Sequence, residues 1–506
     1  MIDRLTRRPR GVLLAVALVT AFAWLGSRGL FETTEGRYAE CAREMVETGN
    51  WLVPQLDYQP HWTKPPLAYW AIAGAIAAGG RNAWAVRSVG ALAFLITVVL
   101  VGSTARVLFG PRVGFIAALV YATSPFAVAG GSVVSTDMLL AMWSMAVVWA
   151  YWRAREARRD RAGRWTLAMW AFAGMGFVTK GPPALLALAS VLVFHALDTH
   201  RGADVPSLRA GRGLAIFAVV GLWWYAVVVV RQSGLLTYFL GDEVVGRVFT
   251  PKFHRNPQWY GPLTMYAGPL LAGTGLWLFL LPVSWWRGRE AAAAPGGHPD
   301  ETPNRDLRGG VRFALVWLIV SVVVLSISRS RLTLYVLPVF SAVVLLVARS
   351  LEPLACTQNG RRAIALIAVV SVGLVASARF VAARKSGSRD MLPLYKACVE
   401  AGGANPAVYI ASRDHLYGLV FYLNGRAVRV SAGKEGGDTR LSTRNDPPRA
   451  IAAAPRAGAA IVADRGRRQD LDTLVARGWA VTRVLETRRY VVARVVPPAN
   501  IRHRTK

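Results

Sequence analysis

Long apolar runs recur along most of this chain and alternate with short stretches rich in arginine. Runs close to membrane length lie at 11–30, 87–108, 113–131, 138–152, 165–180, 182–197, 213–230, 259–285, 311–327, 332–349 and 363–382. A straight helix needs about 20 such residues to cross a bilayer. The pattern therefore predicts an α-helical polytopic membrane protein with eleven crossings.

The basic loops favour one orientation of these crossings. Residues 153–161 are rich in arginine, and the arginines that flank the other runs fall on the same side when the runs alternate. Short cytoplasmic loops are enriched in Lys and Arg. We therefore expect an uncleaved first helix that starts in the cytoplasm. The segments that we expect outside the membrane are 31–86, 231–258, 328–332 and 383–506.

Residues 383–506 differ from the rest because their apolar runs are short and have a strand-like composition. Such runs lie at Ala407–Ala411, Ala459–Ala463, Ala480–Val484 and Tyr490–Val496, and residues 431–450 have the composition of a loop. Strand-like runs separated by helix-like pieces are typical of an α/β domain. We predict a transmembrane domain over 1–382, in which 65–78 lies along the membrane surface, and a small soluble α/β domain over 383–506.

Composition supports the membrane class and excludes others. Of the 506 residues 54% are hydrophobic, and 60 Lys and Arg face 29 Asp and Glu, a net charge of +31. Much of this excess lies in short loops beside apolar runs, where orientation and anionic lipids explain it better than nucleic acid does. The three cysteines have no metal-binding spacing. Cys41 and Cys398 could pair, although separate buried thiols are favoured.

Carboxylates and cations crowd the end of the first run. Glu32, Glu35, Arg37 and Glu40 lie there, and the spacing of apolar residues predicts a helix over 33–49. Thr33 or Thr34 would cap this helix, and Glu35 in its first turn would be favoured by the helix dipole. Such charges are costly at the mouth of a membrane helix unless they meet a substrate or one another. A structural and a catalytic interpretation therefore both stay open.

Several other polar residues lie at the predicted external ends of apolar runs. Asp137 suits the first turn of a helix, and Lys180 before Gly181 suits the last turn of one. A lysine outside the membrane is not explained by the positive-inside bias, so Lys180 could instead face a lipid phosphate. The external loops add more candidates of the same kind: Arg247, His254, Arg255, Arg329, Arg331 and Tyr335.

A series of motifs resembles the bacterial aminoarabinose transferase group, relatives of the protein O-mannosyltransferases. The motifs occur in consistent order at 35–40, 43–45, 49–54, 64–70, 135–140, 175–182, 254–260 and 330–338. Each is weak alone, but the ordered series covers residues 10–350. The resemblance implies a GT-C membrane fold and an inverting transfer of sugar from a polyprenyl-phosphate donor on the periplasmic face, without a nucleotide sugar.

The resemblance also implies which residues form the site. A carboxylate among Glu35, Glu32 and Asp137 would act on the acceptor. Substrate would be bound by Arg37, Tyr38, Lys64, Lys180, Arg247, His254, Arg329, Arg331 and Tyr335. Two positions depart from the family, which has acidic residues where this chain has Thr34 and Thr63. The presumed base and a supporting carboxylate are thus both replaced.

The sequence therefore predicts a glycosyltransferase of a bacterial inner membrane with its site on the periplasmic side. The donor would be a polyprenyl-phosphate sugar and the acceptor lipid A, another envelope glycan or protein. No cofactor is indicated, although a divalent metal stays open, and nucleic acid is not expected as a partner. The alternatives are a transporter or flippase for a lipid-linked anion and an inert binder of a lipid-linked sugar.

Overall fold

The computed structural model describes residues 9–250, 255–293, 307–384, 387–412, 414–429, 459–476, 478–496 and 498. Its α-helices are α1 Pro9–Phe22, α2 Thr34–Thr48, α3 Leu67–Gly79, α4 Ala83–Phe109, α5 Pro111–Thr123, α6 Pro125–Ser132, α7 Asp137–Glu156, α8 Arg159–Lys180, α9 Leu185–His200, α10 Ala210–Phe217, α11 Trp223–Arg231, α12 Leu235–Thr237, α13 Arg247–Phe249, α14 Gly268–Ala272, α15 Leu281–Ala293, α16 Leu307–Ile327, α17 Leu337–Ser350, α18 Glu352–Ala355, α19 Gln358–Arg384, α20 Met391–Gly402, α21 Tyr417–Tyr422 and α22 Arg468–Ala476. π-Helical segments continue the helices at Ala218–Leu222, Tyr238–Gly246 and Leu263–Ala267. 3₁₀-Helical segments lie at Pro182–Ala184, Gly275–Leu280, Thr333–Val336 and Arg465–Arg467.

Several helices are long and apolar enough to cross a membrane, so the chain is a multi-pass membrane protein. By length and composition, six such helices lie in the described part of the chain: Ala83–Phe109, Pro182–His200, Ala210–Arg231, Leu307–Ile327, Thr333–Ser350 and Gln358–Arg384. Two bent pairs raise the number to eight if each pair forms one span. Eleven crossings therefore stay a prediction.

The two bends explain where the predicted spans differ from the structure. The predicted span 113–131 is divided between α5 and α6, which meet at 57° where Pro125 starts a new helix. The predicted span 259–285 bends by 64° between Ala272 and Gly275, and Gly275 adopts a left-handed φ of 67°. The predicted span 11–30 is helical only as far as Phe22.

The chain divides into two compact units, whose last boundary lies between 380 and 381, close to the predicted one. Unit 1 consists of 1–25, 62–68 and 87–380, and unit 2 of 26–61, 69–86 and 381–506. Most of the predicted external loop 31–86 thus groups with the carboxy-terminal segment. Lys64 is an exception, since its short stretch belongs to unit 1.

Close helix packing supports unit 1. A Cβ on Gly114 of α5 would lie 2.8 Å from the carbonyl oxygen of Gly102 in α4, which is too close for a side chain. Glycine at this position therefore lets the two helices pack closely. Buried ion pairs also join helices of unit 1. Asp198 of α9 accepts from Arg155 of α7 at 2.8 Å and also pairs with Arg312 of α16. The ion pairs tie three helices together on the predicted cytoplasmic side.

Unit 2 contains the predicted α/β sheet. Its strands β3 Val408–Ala411, β4 Ala427–Arg429, β5 Ala459–Asp464, β6 Ala480–Glu486 and β7 Tyr490–Val496 lie in the order β4-β3-β5-β7-β6. Strands β4, β3 and β5 are parallel, and β7 and β6 continue the sheet antiparallel. The four predicted strands are confirmed, and β4 is additional. The predicted loop 431–450 lies outside the described residues.

A two-stranded hairpin and helix α2 complete the first part of unit 2. Strands β1 Gln55–Leu56 and β2 Gln59–Pro60 pair antiparallel. Helix α2 confirms the helix predicted over 33–49, and Gly49 ends it with a left-handed φ of 67°. The predicted threonine cap is not formed, because Thr33 makes no capping hydrogen bond. Cys41 and Cys398 are buried free thiols.

Helix α2 carries a buried cluster of charges around Arg43. The Arg43 guanidinium donates to Glu40 at 2.8 Å and 2.9 Å and also pairs with Glu47. Glu44 lies beside them and accepts from the backbone N–H of Tyr58 at 2.9 Å. Burial raises the pKa of Glu44 to about 7, although the bond from Tyr58 and the charge of Arg43 both act to lower it.

We expect Glu44 to make the stability of unit 2 depend on pH. The folded chain holds this proton up to about pH 7, whereas an unfolded glutamate releases it at about pH 4.3. The folded chain therefore binds more protons between these values, and stability falls as the pH rises through that window. Glu44→Gln should reduce the difference in melting temperature between pH 5 and pH 7.5, measured in detergent. Glu400→Gln, an exposed change on α20, is the control; an unaltered pH dependence in Glu44→Gln would contradict the assignment.

Candidate active site

Two candidate residues of unit 1 form an ion pair between the first residue of helix α7 and the last residue of helix α8. Asp137 is the first residue of α7, and Lys180 is the last residue of α8. Their side chains are 10% and 9% exposed, and the Lys180 ammonium donates to the Asp137 carboxylate. Gly181 allows the chain to leave α8 at a φ of 76°, as the sequence predicts. The first-turn position of Asp137 and its position in a polar site are thus both observed.

A second lysine of unit 1 faces a carboxylate, Glu243, that is not among the predicted site residues. Lys64 Nζ lies 3.5 Å from Glu243 Oε2. Arg247 donates to both oxygens of Glu243, at 2.8 Å from Nε and 2.7 Å from Nη2. The hydroxyl of Tyr238 lies 3.3 Å from Glu243 Oε1.

The local helix geometry explains this second group. In a π-helix, residues five apart lie above one another, so the π-helical segment Tyr238–Gly246 aligns Tyr238 with Glu243. Arg247 follows Glu243 by four residues, the spacing of a helical ion pair. That spacing is the signal in the sequence that could have identified Glu243. The π-helical widening could not be read from the sequence.

Tyr335 connects the cations of unit 1 to one another. Lys180 Nζ lies 4.6 Å from the centroid of its ring, and Arg255 Nη1 lies 3.2 Å from its hydroxyl. The ring thus lies between a cation at its face and a cation at its oxygen. Arg247, which shares Glu243 with Lys64, also interacts electrostatically with Tyr335, so these four cations lie near one another.

Arg331 is used differently from the other candidate cations. It is buried, and it donates to the carbonyl oxygens of Asn256 at 3.0 Å, Gln258 at 2.7 Å and Ser326 at 2.9 Å. Its own backbone N–H donates to Arg255 O at 2.8 Å. Arg331 therefore holds the segment that carries Arg255. The neighbouring Arg329 has an exposed side chain, and its backbone N–H donates to Val248 O at 3.0 Å.

The electrostatics of Glu243 favour its charged form. Burial raises the pKa of this carboxyl, but the hydrogen bond from Arg247 and the charges of Lys64 and Arg247 outweigh burial and hold it below its ordinary value. Burial and the nearby Glu243 together raise the pKa of Tyr238. Glu243 is thus an ionised carboxylate held between two cations.

The carboxylates of the first external loop lie in unit 2 and make structural contacts. Glu35 is 2% exposed; it lies 3.0 Å from Arg28 and accepts from the backbone N–H of Phe31 at 2.9 Å. Glu32 is also buried and accepts from the backbone N–H of Gly418 at 2.9 Å. Gly36 also lies against Gly418, so closely that a Cβ at position 36 would lie 2.4 Å from the backbone nitrogen of Gly418.

The remaining candidates of this loop differ in exposure. Tyr38 is buried against Tyr69, with ring centroids 5.4 Å apart, and the guanidinium of Arg37 lies 5.9 Å from the Tyr38 ring. Thr34 is exposed at the start of helix α2, whereas Glu35 is buried. His254 lies outside the described residues. Within those residues, no three His, Cys, Asp or Glu side chains are arranged to hold a metal ion.

The sequence is similar to known membrane glycosyltransferases. Residues 63–224 match the dolichyl-phosphate-mannose-protein mannosyltransferase family. The undecaprenyl phosphate-alpha-4-amino-4-deoxy-L-arabinose arabinosyl transferase of Pseudomonas savastanoi is 29% identical over 372 residues, which cover 72% of this chain and 65% of that protein. The corresponding protein of Edwardsiella ictaluri is 30% identical over 346 residues, or 67% of this chain and 58% of that protein. The resemblance that the motifs indicate is confirmed.

Solved structures extend the similarity to nearly the whole chain. The structure of ArnT from Cupriavidus metallidurans in the apo state aligns with a TM-score of 0.71 at 21% identity, covering 96% of this chain and 97% of that one. The same protein bound to undecaprenyl phosphate gives 0.68 at 22% identity. The archaeal oligosaccharyltransferase AglB from Archaeoglobus fulgidus gives 0.53. The chain has a GT-C fold.

Within this GT-C fold, Arg331 offers a test of how the loop at 255–258 is held. We expect Arg331→Ala to increase hydrogen exchange at 255–262, because the carbonyls of Asn256 and Gln258 lose a charged donor. Each such bond is worth ~1.5–3 kcal/mol. Arg329→Ala is the matched control, since it removes an exposed side chain two residues away. Exchange mass spectrometry in detergent measures the effect. Equal exchange in the two variants would show that Arg331 does not hold this segment.

Proposed function

We propose that this protein is a glycosyltransferase that moves a sugar from a polyprenyl-phosphate donor to an acceptor. The observation that carries the proposal is the set of cations in unit 1, Lys64, Lys180, Arg247 and Arg255, held at the predicted external ends of their segments. The names of the relatives support the same donor class. The chain spans about 60% of the length of these relatives, so activity, donor and acceptor are all part of the proposal.

The proposed reaction places the largest electrostatic demand on the phosphate. An acceptor oxygen attacks the anomeric carbon, the bond from that carbon to the phosphate oxygen breaks, and its electron pair stays on the phosphate. Negative charge on the phosphate therefore grows in the transition state. Preorganised cations stabilise such charge most strongly where water is excluded. Lys64, Lys180, Arg247 and Arg255 would serve this purpose, while Arg331 acts through the position of Arg255.

We propose Asp137 as the carboxylate that orients or deprotonates the acceptor. It lies in the same unit as the cations, with a carboxylate that is partly accessible. Glu35 and Glu32 are the alternatives, but Glu35 is bonded to Arg28 and Phe31 N, and Glu32 to Gly418 N. Asp137 also accepts a charged donor, from Lys180, so its greater side-chain exposure, 10% against 2% for Glu35, is what favours it. Thr34 cannot take up the proton that an acidic residue would take there.

The location of the reaction follows from the predicted orientation. With the amino terminus in the cytoplasm of a bacterium, the cations of unit 1 and the segment 383–506 face the periplasm. A periplasmic site fits a lipid-linked donor, because nucleotide sugars are cytoplasmic metabolites. Lipid A, another envelope glycan or an envelope protein would be the acceptor, and no nucleic acid is involved.

Removing single cations tests the phosphate site. Lys64→Ala, Lys180→Ala and Arg247→Ala should each lower transfer at least ~10-fold, because a charge-assisted bond to phosphate is worth ~1.5–3 kcal/mol. Transfer is measured with purified protein in detergent and a polyprenyl-phosphate sugar. Arg153→Ala, a partly exposed arginine on the predicted cytoplasmic side, is the control. Melting temperatures identify variants that lose activity by unfolding. Full activity in two of the three variants would exclude this site.

The role of the carboxylates is tested by pairing each with its contact. If Glu35 serves the loop, Glu35→Gln and Arg28→Gln should change transfer and melting temperature alike, because each removes the same ion pair. Asp137→Asn should instead abolish transfer while polyprenyl-phosphate binding persists, since Asn keeps the shape and lacks the basicity. Loss of transfer in Glu35→Gln with normal transfer in Arg28→Gln would assign the base to Glu35. Normal transfer in Asp137→Asn, Glu35→Gln and Glu32→Gln would point to an acceptor that is already ionised.

A further inference from the structure

We propose that Glu243 is a counter-ion that competes with the leaving polyprenyl phosphate for Lys64 and Arg247, and thereby speeds release of that lipid. The inference rests on the proposed function and deepens it, because it assigns a role in product release to a residue that the motifs do not include.

The contacts of Glu243 are those that a bound phosphate would need. Both of its oxygens accept from Arg247, at 2.7 Å and 2.8 Å, and Lys64 Nζ lies 3.5 Å away. A guanidinium binds carboxylate and phosphate with the same two-pronged geometry. Lys64 and Arg247 therefore cannot give their full set of donors to Glu243 and to a phosphate at the same time.

The charge of the lipid changes during the proposed transfer. The donor is a phosphodiester with one negative charge, whereas the product is a phosphate monoester whose second ionisation has a pKa of about 6. At neutral pH the product therefore carries close to two charges. Cations that stabilise this charge in the transition state also bind the product tightly, so product release can limit turnover.

The charge balance of the described cations shows what Glu243 contributes. Lys64, Lys180, Arg247 and Arg255 supply four positive charges, and Asp137 and Glu243 supply two negative charges. Without Glu243 the excess would rise from two to three positive charges, and the dianionic product would gain more than the monoanionic donor. Glu243 remains ionised beside its two cations, as its lowered pKa indicates. It is therefore ready to bind them again when the lipid departs.

A purely structural role for Glu243 makes the opposite prediction. If Glu243 only positioned Lys64 and Arg247, its loss would disorder these cations and weaken phosphate binding. If Glu243 competes with phosphate, its loss should strengthen binding. The sign of the change in affinity therefore distinguishes the two roles.

The test uses the full-length protein with undecaprenyl phosphate in detergent at pH 5.5 and pH 8. Glu243→Gln keeps the size of the side chain and removes its charge. We expect it to bind the lipid at least ~10-fold more tightly at pH 8. Without the competing carboxylate, Lys64 and Arg247 can each donate a charge-assisted bond to the phosphate, and one such bond is worth that much. The gain should be smaller at pH 5.5, where the phosphate is mostly a monoanion. Single-turnover transfer should persist while steady-state turnover falls.

Two variants serve as controls, and each outcome has one meaning. Asp242→Asn makes the same charge change one residue away and should leave lipid affinity within ~2-fold of the starting protein. Glu243→Asp keeps the charge and should retain weak binding. Unchanged or weaker binding by a folded Glu243→Gln, with lipid still bound by the unmodified protein, would overturn the inference alone. Absence of lipid binding by both proteins would overturn the inference and the proposed function together.

Discussion

The need to pair buried charges determines the arrangement of the candidate site. A lone cation or carboxylate is expensive to remove from water, and a partly buried site at a membrane surface removes several at once. In unit 1, each of the two lysines that the structure describes has a carboxylate partner, Asp137 for Lys180 and Glu243 for Lys64. The same pairing that keeps the cations in place also means that a phosphate must exchange for a carboxylate rather than enter an empty site.

Helix ends and helix irregularities position these pairs. Lys180 and Asp137 lie at the last and first residues of two neighbouring helices, where side chains reach a common level. The position of Glu243 depends on a π-helical segment, which aligns Glu243 with Tyr238. Arg247 follows Glu243 by four residues, about one helical turn. Rigid helices thus fix one pair, and a less regular segment carries the other. That division suits a site in which one carboxylate stays and the other yields to a ligand.

Sequence periodicity predicted the elements better than it predicted the contacts. The spacing of apolar residues predicted α2, and short apolar runs predicted four strands. An element that is buried on one face has apolar residues at regular intervals, and this periodicity can be recognised in the sequence. The bends at Pro125 and Gly275 were missed, since an apolar run has the same composition whether its helix is straight or broken. Glu243 was missed because the resemblance rests on other motifs. Its partner Lys64 lies nearly 180 residues away, so no local pattern joins them.

Burial also changes the significance of the acidic first loop. Crowded carboxylates beside a membrane helix left a catalytic and a structural interpretation open, and Glu35 and Glu32 are bonded within unit 2 to Arg28, Phe31 and Gly418. In the first turn of this helix the exposed position is Thr34, which has no charge to offer. Charge density in a sequence cannot separate carboxylates that stabilise a loop from those that meet a substrate, because both gather where water is scarce. Only the direction of each side chain makes that distinction, and in unit 1 it favours Asp137 and Glu243.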